Sequence, residues 1–582
     1  YRWKKKQVSE MIDDLAEKFG NSYDASHERT EVENYGHYFL GSIIISNKQG
    51  QEFIIDGQQR LTTLTLLLIH VYKLLENDGH KTQIANLIFS MKHGRLSFNI
   101  DVDERAACME ALFKGSPFEE ARQPESVANV IFRSQDITEL FPNELAGEAL
   151  PYFADWLIEN VYLVEITAYS DTDAYTIFET MNDRGLSLTP TDMLKGYVLA
   201  NIQDPQRRDT ANQLWRKRVT GLKDIGKEED ADAIKAWLRS QYAKSIRERK
   251  RNAKPRDFDL IGTEFHRWVR DHKKSLGLLS SDDFARFIEE DFDFYGNWYS
   301  QLRDAAETMT EGLEAIHYCA QSNFTLQYPV LLAPLRRNAP ESEILRKLRI
   351  VSIYLDILIT RRIWNWQAIS YSTMQYAMFI TMCDIRGKDA PSLAELLMGR
   401  LASETKTFAT NDRFRLHGTN GPHIHRLLAR LTDYVETSSG RSSHFQEYMR
   451  RDRKNGYEIE HIWADHFDRH DDEFGHSADF AEFRNRIGCL LLLPKSFNAS
   501  YGDLPYEEKR RHYLKNNLLA QSLHEDAYDR DPGFRQFVHS NALPFEAHPE
   551  FRKDDIEARQ HLYTKLAEQI WNPERLARAA ES

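Results

Sequence analysis

The sequence predicts a multidomain α+β protein: a mixed α/β N-terminal region, an α-helical middle and a C-terminal segment of ββα type. Three observations predict it. β-rich runs mix with helical ones over the first 200 residues, helical spacing dominates from about 205 to 435, and two apolar strand-like runs near the C-terminus lead into Pro494-Lys495-Ser496-Phe497-Asn498. A chain of 582 residues is too long for one ordinary core, and roughly three to four domains is the starting expectation. The divisions expected are 1–204, 205–435 and 436–582.

In the first region, Tyr38 to Ser46 (YFLGSIIIS) and Glu52 to Ile55 are strands, and NKQGQ between them signals a hairpin. A helix is expected from Leu61 to about Leu75. Val161 to Thr167 (VYLVEIT) is a further strand. A helix from about Asp173 to Met181 precedes another whose start at Thr189-Pro190 reads as an N-cap followed by a first-turn proline. In the middle region Leu and aromatic positions recur at helical spacing, as in Ala233 to Tyr242 and Ile344 to Ile363. Trp364, Trp366, Tyr371 and Tyr376 could stack on bases, but core packing is their commoner use. Glu436 to Ser443 (ETSSGRSS) is the expected boundary before the C-terminal segment.

Composition narrows the class. Apolar residues at 41% and aromatics at 12% are enough to bury substantial cores, so the chain is neither a tail nor a linker. Cys108, Cys319, Cys383 and Cys489 form no CxxC pair, which excludes a thiolate zinc ribbon and points to a reducing cytoplasm. The longest apolar run, Leu61 to Leu75, is interrupted by Thr62, Thr63, Thr65, His70 and Lys73 and is too short to span a bilayer, so no membrane partner is expected. The net charge of −13 argues against nucleic-acid binding only weakly, because a multidomain enzyme needs just one basic face. Local basic clusters occur at Arg247–Arg256, Arg450–Lys454 and Lys509–Arg511, and the last two flank the C-terminal motif.

That motif is Tyr457 to Phe467 (YEIEHIWADHF), followed by RNRIG from Arg484, the LLLLPKSFN run and PYEEK from Pro505. A ββα-metal nuclease needs a His to deprotonate water, oxygen ligands for one Mg²⁺ or Mn²⁺ at the scissile phosphate, and a polar residue to orient the His. His461 sits in an apolar-flanked run suited to a strand. Glu460 adjoins it but points to the opposite side of an ideal strand, so joint use requires a bend. Asn498 stands where a helix can return its oxygen to the metal, and Asn485 is placed to fix the His ring or its loop. The cluster Asp465, His466, Asp468, His470 and His476 is expected to be a solvated acidic loop rather than a second metal site, and His417, His423 and His425 are treated likewise.

Near the other end, Phe53 to Leu64 reads FIIDGQQRLTTL: strand, sharp turn, helix. Gly57 allows the turn, the helix start offers unpaired N–H groups to an anion, and Arg60 could grip a phosphate. Gln58 and Gln59 can orient water or a base edge. The Gly-Lys-Ser/Thr core of a Walker A loop is absent.

These motifs together resemble GmrSD-type restriction enzymes. EIEHIWADHF, RNRIG, LLLPKSFN and PYEEK resemble the HNH-like domain at their C-terminus over roughly 440–582. DGQQRLTTL and Phe178 to Lys195 (FETMNDRGLSLTPTDMLK) resemble the signatures of their ParB/sulfiredoxin-like N-terminal domain. The resemblance implies His461 as general base, Glu460 and Asn498 on the metal side, and Asn485 in support. It also implies a nucleotide site lined by Asp56, Gly57, Gln58, Gln59 and Arg60, taking GTP, UTP, CTP or ATP. Asn182, Arg184 and Lys509 become further candidates for contact with nucleotide or DNA. Asp192 and Lys195 read as an intrahelix pair.

Two positions depart from the family pattern: Ala464 replaces a frequent Pro, and Cys489 stands within Gly-Asn-Leu. The family's Tyr-Gln-Arg strand is expected upstream of Tyr1-Arg2-Trp3, and part of the nucleotide site with it. The function so implied is NTP-regulated, type IV cleavage of modified double-stranded phage DNA, with glucosylated hydroxymethylcytosine as the modification. A homodimer would let one site per chain cut both strands. Alternatives are a phosphorothioate-sensing nickase of the same architecture, an NTP-switched DNA-binding regulator with a degenerate nuclease, and an uncontrolled HNH toxin.

Overall fold

The computed structural model describes residues 1, 3–48, 51–92, 95–100, 102–118, 123–168, 189–248, 250, 253–451 and 456–581. They form two compact units, Tyr1–Ala200 and Asn201–Ser582. Helix dominates, and the sheets among the described residues are small: one of three strands and two of two strands.

In the first unit β1 (Tyr38–Lys48) pairs antiparallel with β2 (Gln51–Asp56) and parallel with β5 (Val161–Ala168). Asn160 sets the start of the parallel pairing: its carbonyl accepts the Tyr38 N–H at 2.9 Å while its amide donates to the Tyr35 carbonyl at 2.9 Å. Helix α1 (Lys5–Gly20) buries Val8, Met11, Ile12, Leu15 and Phe19, a single face at helical spacing. Helix α2 (Gln58–Leu74) is the core helix and buries three threonines with its leucines. Thr62, Thr63 and Thr65 donate to the carbonyls of Gln58, Gln59 and Leu61, so no hydroxyl enters the core unpaired. The hairpin β3 (Phe89–Lys92) and β4 (Arg95–Phe98) was not legible in the sequence. Helix α3 (Pro190–Ala200) starts as expected: the Thr189 hydroxyl accepts the Asp192 N–H at 3.2 Å and donates to its carboxylate. The helix expected at about 173–181, and with it Asn182 and Arg184, lies outside the described residues.

In the second unit helix α4 (Glu341–Trp364) is buried at every position from Ile350 to Thr360. That includes Asp356, which receives Arg430 through two bonds at 3.2 and 3.0 Å and the Trp571 indole N–H at 3.1 Å. Arg430 belongs to α5 (Gly421–Ser438) and lies 3.4 Å from the Tyr318 ring centre. A buried carboxylate is tolerated only when paired in this way. The pair and Trp571 join the helical middle to the end of the chain. Glu436 is buried in the last turn of α5, where it accepts the Leu518 N–H at 2.6 Å and pairs with Arg441. Of the four middle-region aromatics, Trp364 packs in the core against Phe414, whereas Trp366, Tyr371 and Tyr376 are exposed.

The last 130 residues build β6 (Tyr457–His461), α6 (Ser477–Asn485), β7 (Leu490–Pro494), α7 (Lys495–Tyr501), α8 (Tyr506–Tyr513) and α9 (Lys553–Ile570). β6 and β7 pair antiparallel, from Tyr457↔Pro494 to His461↔Leu490, and α7 follows β7 directly. Leu490 to Leu493 are all buried, which explains an apolar run without alternation. Gly488 lets α9 approach: a Cβ there would meet the Ile556 carbonyl oxygen at 2.2 Å. No described helix is long and apolar enough to cross a membrane. The four cysteines are unpaired with one another.

Gly488→Ala is expected to destabilise the second unit by about 1–3 kcal/mol or more. Gly475→Ala, where a Cβ meets nothing within 4 Å, is expected to shift stability by less than about 0.5 kcal/mol. Urea unfolding of the two variants checks this, and equal midpoints would contradict the packing argument.

Candidate functional site

His461 ends β6, half-buried, on the face it shares with Ile459 and Tyr457. Its Nε2 lies 3.1 Å from Asn485 Oδ1. The orientation of the Asn485 amide is fixed by its other end, since Nδ2 donates to the Ala481 carbonyl at 2.7 Å. Oδ1 therefore accepts, Nε2 carries the proton, and Nδ1 is left as the basic nitrogen. Burial pushes the His461 pKa down to about 4, and the Arg484 guanidinium adds to the shift. The ring is neutral at physiological pH, as a base must be before it takes a proton. Arg484, the last-turn neighbour of Asn485 on α6, is the site residue that sequence reasoning missed; its place inside RNRIG was the available signal.

Glu460 and Lys509 are not brought to that face. β6 stays in regular register through His461, so no bend turns Glu460 toward the His461 side. Glu460 points inward and accepts the Lys509 ammonium at 2.6 Å, and the same ammonium donates to the His461 carbonyl at 2.8 Å. Lys509, expected to contact nucleotide or DNA, has no exposed surface in the structure. Burial pushes Glu460 up and Lys509 down, each against the attraction of the other. In the same cluster Arg510 turns to Glu525 and to the Leu523 carbonyl, so Lys509–Arg511 is not a continuous phosphate track.

Asn498, on α7, donates Nδ2 to the Ile459 carbonyl at 3.4 Å. Its Oδ1 is buried with no hydrogen-bond partner among the described residues, an uncommitted oxygen beside the His461 strand. Among the described residues no three His, Cys, Asp or Glu groups are placed to hold a metal ion. The donor set thus fits a cation through Asn498 but not through Glu460 while Lys509 holds it. His466 pairs with Asp503, His470 with Glu473, and His476 caps Ala478, so the Asp465–His476 segment is a network of local pairs. Cys489 is fully buried with its thiol pushed up to about 11, and its carbonyl accepts the Ile462 N–H at 2.9 Å. The amide that touches His461 is instead Asn485, four residues upstream.

In the first unit Gly57 turns β2 into α2 at φ +95°, where a Cβ would come within 2.5 Å of Ile43. The first turn of α2 carries no acidic residue and no side-chain cap. Gln58 donates to the Ile54 carbonyl at 2.8 Å, and the Gln59 side chain accepts the Trp3 N–H at 3.3 Å. Arg60 donates to the Ser42 carbonyl at 2.6 Å and lies 3.9 Å from the Asp56 carboxylate. Gly41, at φ +129°, leaves the space that its guanidinium fills. The loop thus brings Asp56 to Arg60 together, with Arg60 bonded to its own sheet.

Removing one partner of the Lys509–Glu460 pair strands a buried charge. Lys509→Met is expected to cost about 3–5 kcal/mol, and Glu460→Leu combined with Lys509→Met to recover most of it. Chemical denaturation of the single and double variants checks this; a double variant no more stable than the single one would contradict it.

Two family models match the chain. The GmrSD restriction endonuclease N-terminal domain matches residues 1–199, and the C-terminal domain of GmrSD restriction endonucleases matches residues 402–566. No curated protein matches it. Both motif sets described above lie inside these matches, which together cover more than half of the chain, and the protein belongs to the GmrSD restriction endonuclease family.

Proposed function

We propose that the protein is an NTP-regulated type IV restriction endonuclease that hydrolyses phosphodiester bonds in modified double-stranded DNA, with glucosylated hydroxymethylcytosine as the modification. The observation that carries the chemistry is His461: neutral, tautomer fixed by Asn485, at the end of a strand–strand–helix unit. We read that unit as the ββα-metal fold of HNH nucleases, and the first unit as ParB/sulfiredoxin-like.

In this reading His461 Nδ1 accepts a proton from the attacking water while Asn485 holds the Nε2–H. Burial, with Arg484 adding to it, keeps the ring unprotonated between turnovers. Asn498 Oδ1 is the protein donor for a divalent cation, Mg²⁺ or Mn²⁺, which supplies charge stabilisation at the scissile phosphate. The Gly57 turn would receive a nucleotide phosphate at the start of α2, with Arg60 exchanging its Ser42 contact for the anion. Asp56 then restrains Arg60 when no anion is present.

Incubation of glucosylated DNA with Mg²⁺ or Mn²⁺ and NTP tests the reading. His461→Ala is expected to slow cutting by roughly 10²–10⁴-fold, and equal DNA integrity with both proteins would sink the nuclease. Because the His461 pKa is lowered, its base form persists as pH falls, so its acid limb should lie near pH 4 rather than 6.5. The rate profile below neutrality checks this, and a midpoint near 6.5 would contradict it. Arg60→Ala is expected to change the NTP dependence of cutting; identical NTP titrations would remove the nucleotide from the Gly57 turn.

A further inference from the structure

Beside the His461 strand lies a cleft of about 310 Å³ between the first turn of α5 and β6, lined by Pro422, Arg451, Tyr457, Glu458, Ile459 and Lys495 among others. We infer that this cleft seats the backbone phosphate next to the one being cut, held by Arg451 and Lys495. The inference rests on the nuclease reading above and extends it from the reacting centre to the path of the DNA strand.

Position is the first argument. Tyr457, Ile459 and His461 share one face of β6, and the cleft reaches Ile459, two residues or about 7 Å before His461. That is the order of one nucleotide step along a strand. Lys495 and Asn498 are three apart on α7, so they lie on the same side of that helix. Lys495 reaches Glu458 and Asn498 reaches the Ile459 carbonyl. Arg451, Lys495, Asn498 and His461 thus follow one another along β6.

Charge is the second. The Arg450 carbonyl accepts the Tyr457 N–H at 3.0 Å, which pins the start of the basic run beside the strand. Arg451 is exposed and has no ion-pair partner among the described residues. With burial, its charge helps pull the neighbouring Arg426 down to about 10, a sign of concentrated positive potential. The one carboxylate in the cleft, Glu458, pairs with Lys495 at 3.0 Å, with both side chains more than 40% exposed. Such a pair contributes little, so Lys495 can leave it for a phosphate. The ligand is a phosphodiester, read by charge and not by base identity.

The test measures binding of a fluorescent glucosylated duplex with catalysis silenced by His461→Ala. Adding Arg451→Gln and Lys495→Gln should weaken binding by roughly tenfold or more and lower the slope of log affinity against log salt by about 2. A neutral methylphosphonate at the phosphate adjoining the cleavage point should weaken binding to the His461→Ala protein but not to the triple variant. Equal melting midpoints show that the triple variant folds. Unchanged affinity and salt slope, with DNA still bound, would overturn the inference and leave the nuclease reading standing. Failure of the His461→Ala protein to bind DNA at all would overturn both.

Discussion

A lysine ammonium with no exposed surface can exist only where oxygen replaces all the water it has lost. Lys509 meets that demand with the Glu460 carboxylate and the His461 carbonyl. Those two partners are consecutive residues of β6, so the ammonium clamps the strand at His461. Much of the C-terminal site depends on this clamp. It turns Glu460 inward, leaves the opposite face to His461, and ties α8 to β6. The site face is then finished by neutral groups, Asn485 and Asn498, while burial and the nearby Arg484 cation hold the His461 pKa down.

Much of this was legible in the sequence, for identifiable reasons. Strands with β-branched runs, such as Tyr38 to Ser46 and Val161 to Thr167, emerged nearly as read, as did the Thr189 cap and the helix after Gly57. Local chemistry decided those elements. The hairpin Phe89–Phe98 escaped because its short strands carry too little alternation to register. At the site, the pairing of Asn485 with His461 followed from spacing and motif. The inward turn of Glu460 was half-visible, since strand alternation already opposed it to His461. Its partner could not be read, because nothing local marks Lys509 as buried within a run of three basic residues. The burial of Glu436 was hidden for a related reason: its polar neighbours resemble a linker, and one of its partners, the Leu518 N–H, is remote in sequence.

The two candidate sites treat their charges in opposite ways. Near His461 the carboxylate is neutralised out of reach of solvent, and the Asn498 oxygen is left without a partner among the described residues. At the Gly57 turn the carboxylate of Asp56 and the guanidinium of Arg60 stand together at a partly exposed surface, 3.9 Å apart. A loosely paired arginine is easily recruited by a stronger anion, whereas a buried ion pair is not. The first arrangement suits fixed geometry for bond cleavage. The second suits a reversible response to whatever occupies the turn.

The Asp356–Arg430–Trp571 contact bears on how such enzymes can diversify. Arg430 falls within the family-matched C-terminal segment, Asp356 lies before it, and Trp571 lies just beyond its end. Recombination that exchanged residues 402–566 as a cassette would therefore import an arginine whose two partners stay behind in the recipient. A transplant succeeds only if the recipient offers the same carboxylate and indole. The C-terminal segment is thus not freely portable, and variants should arise more readily by changes within the helical scaffold than by its wholesale exchange.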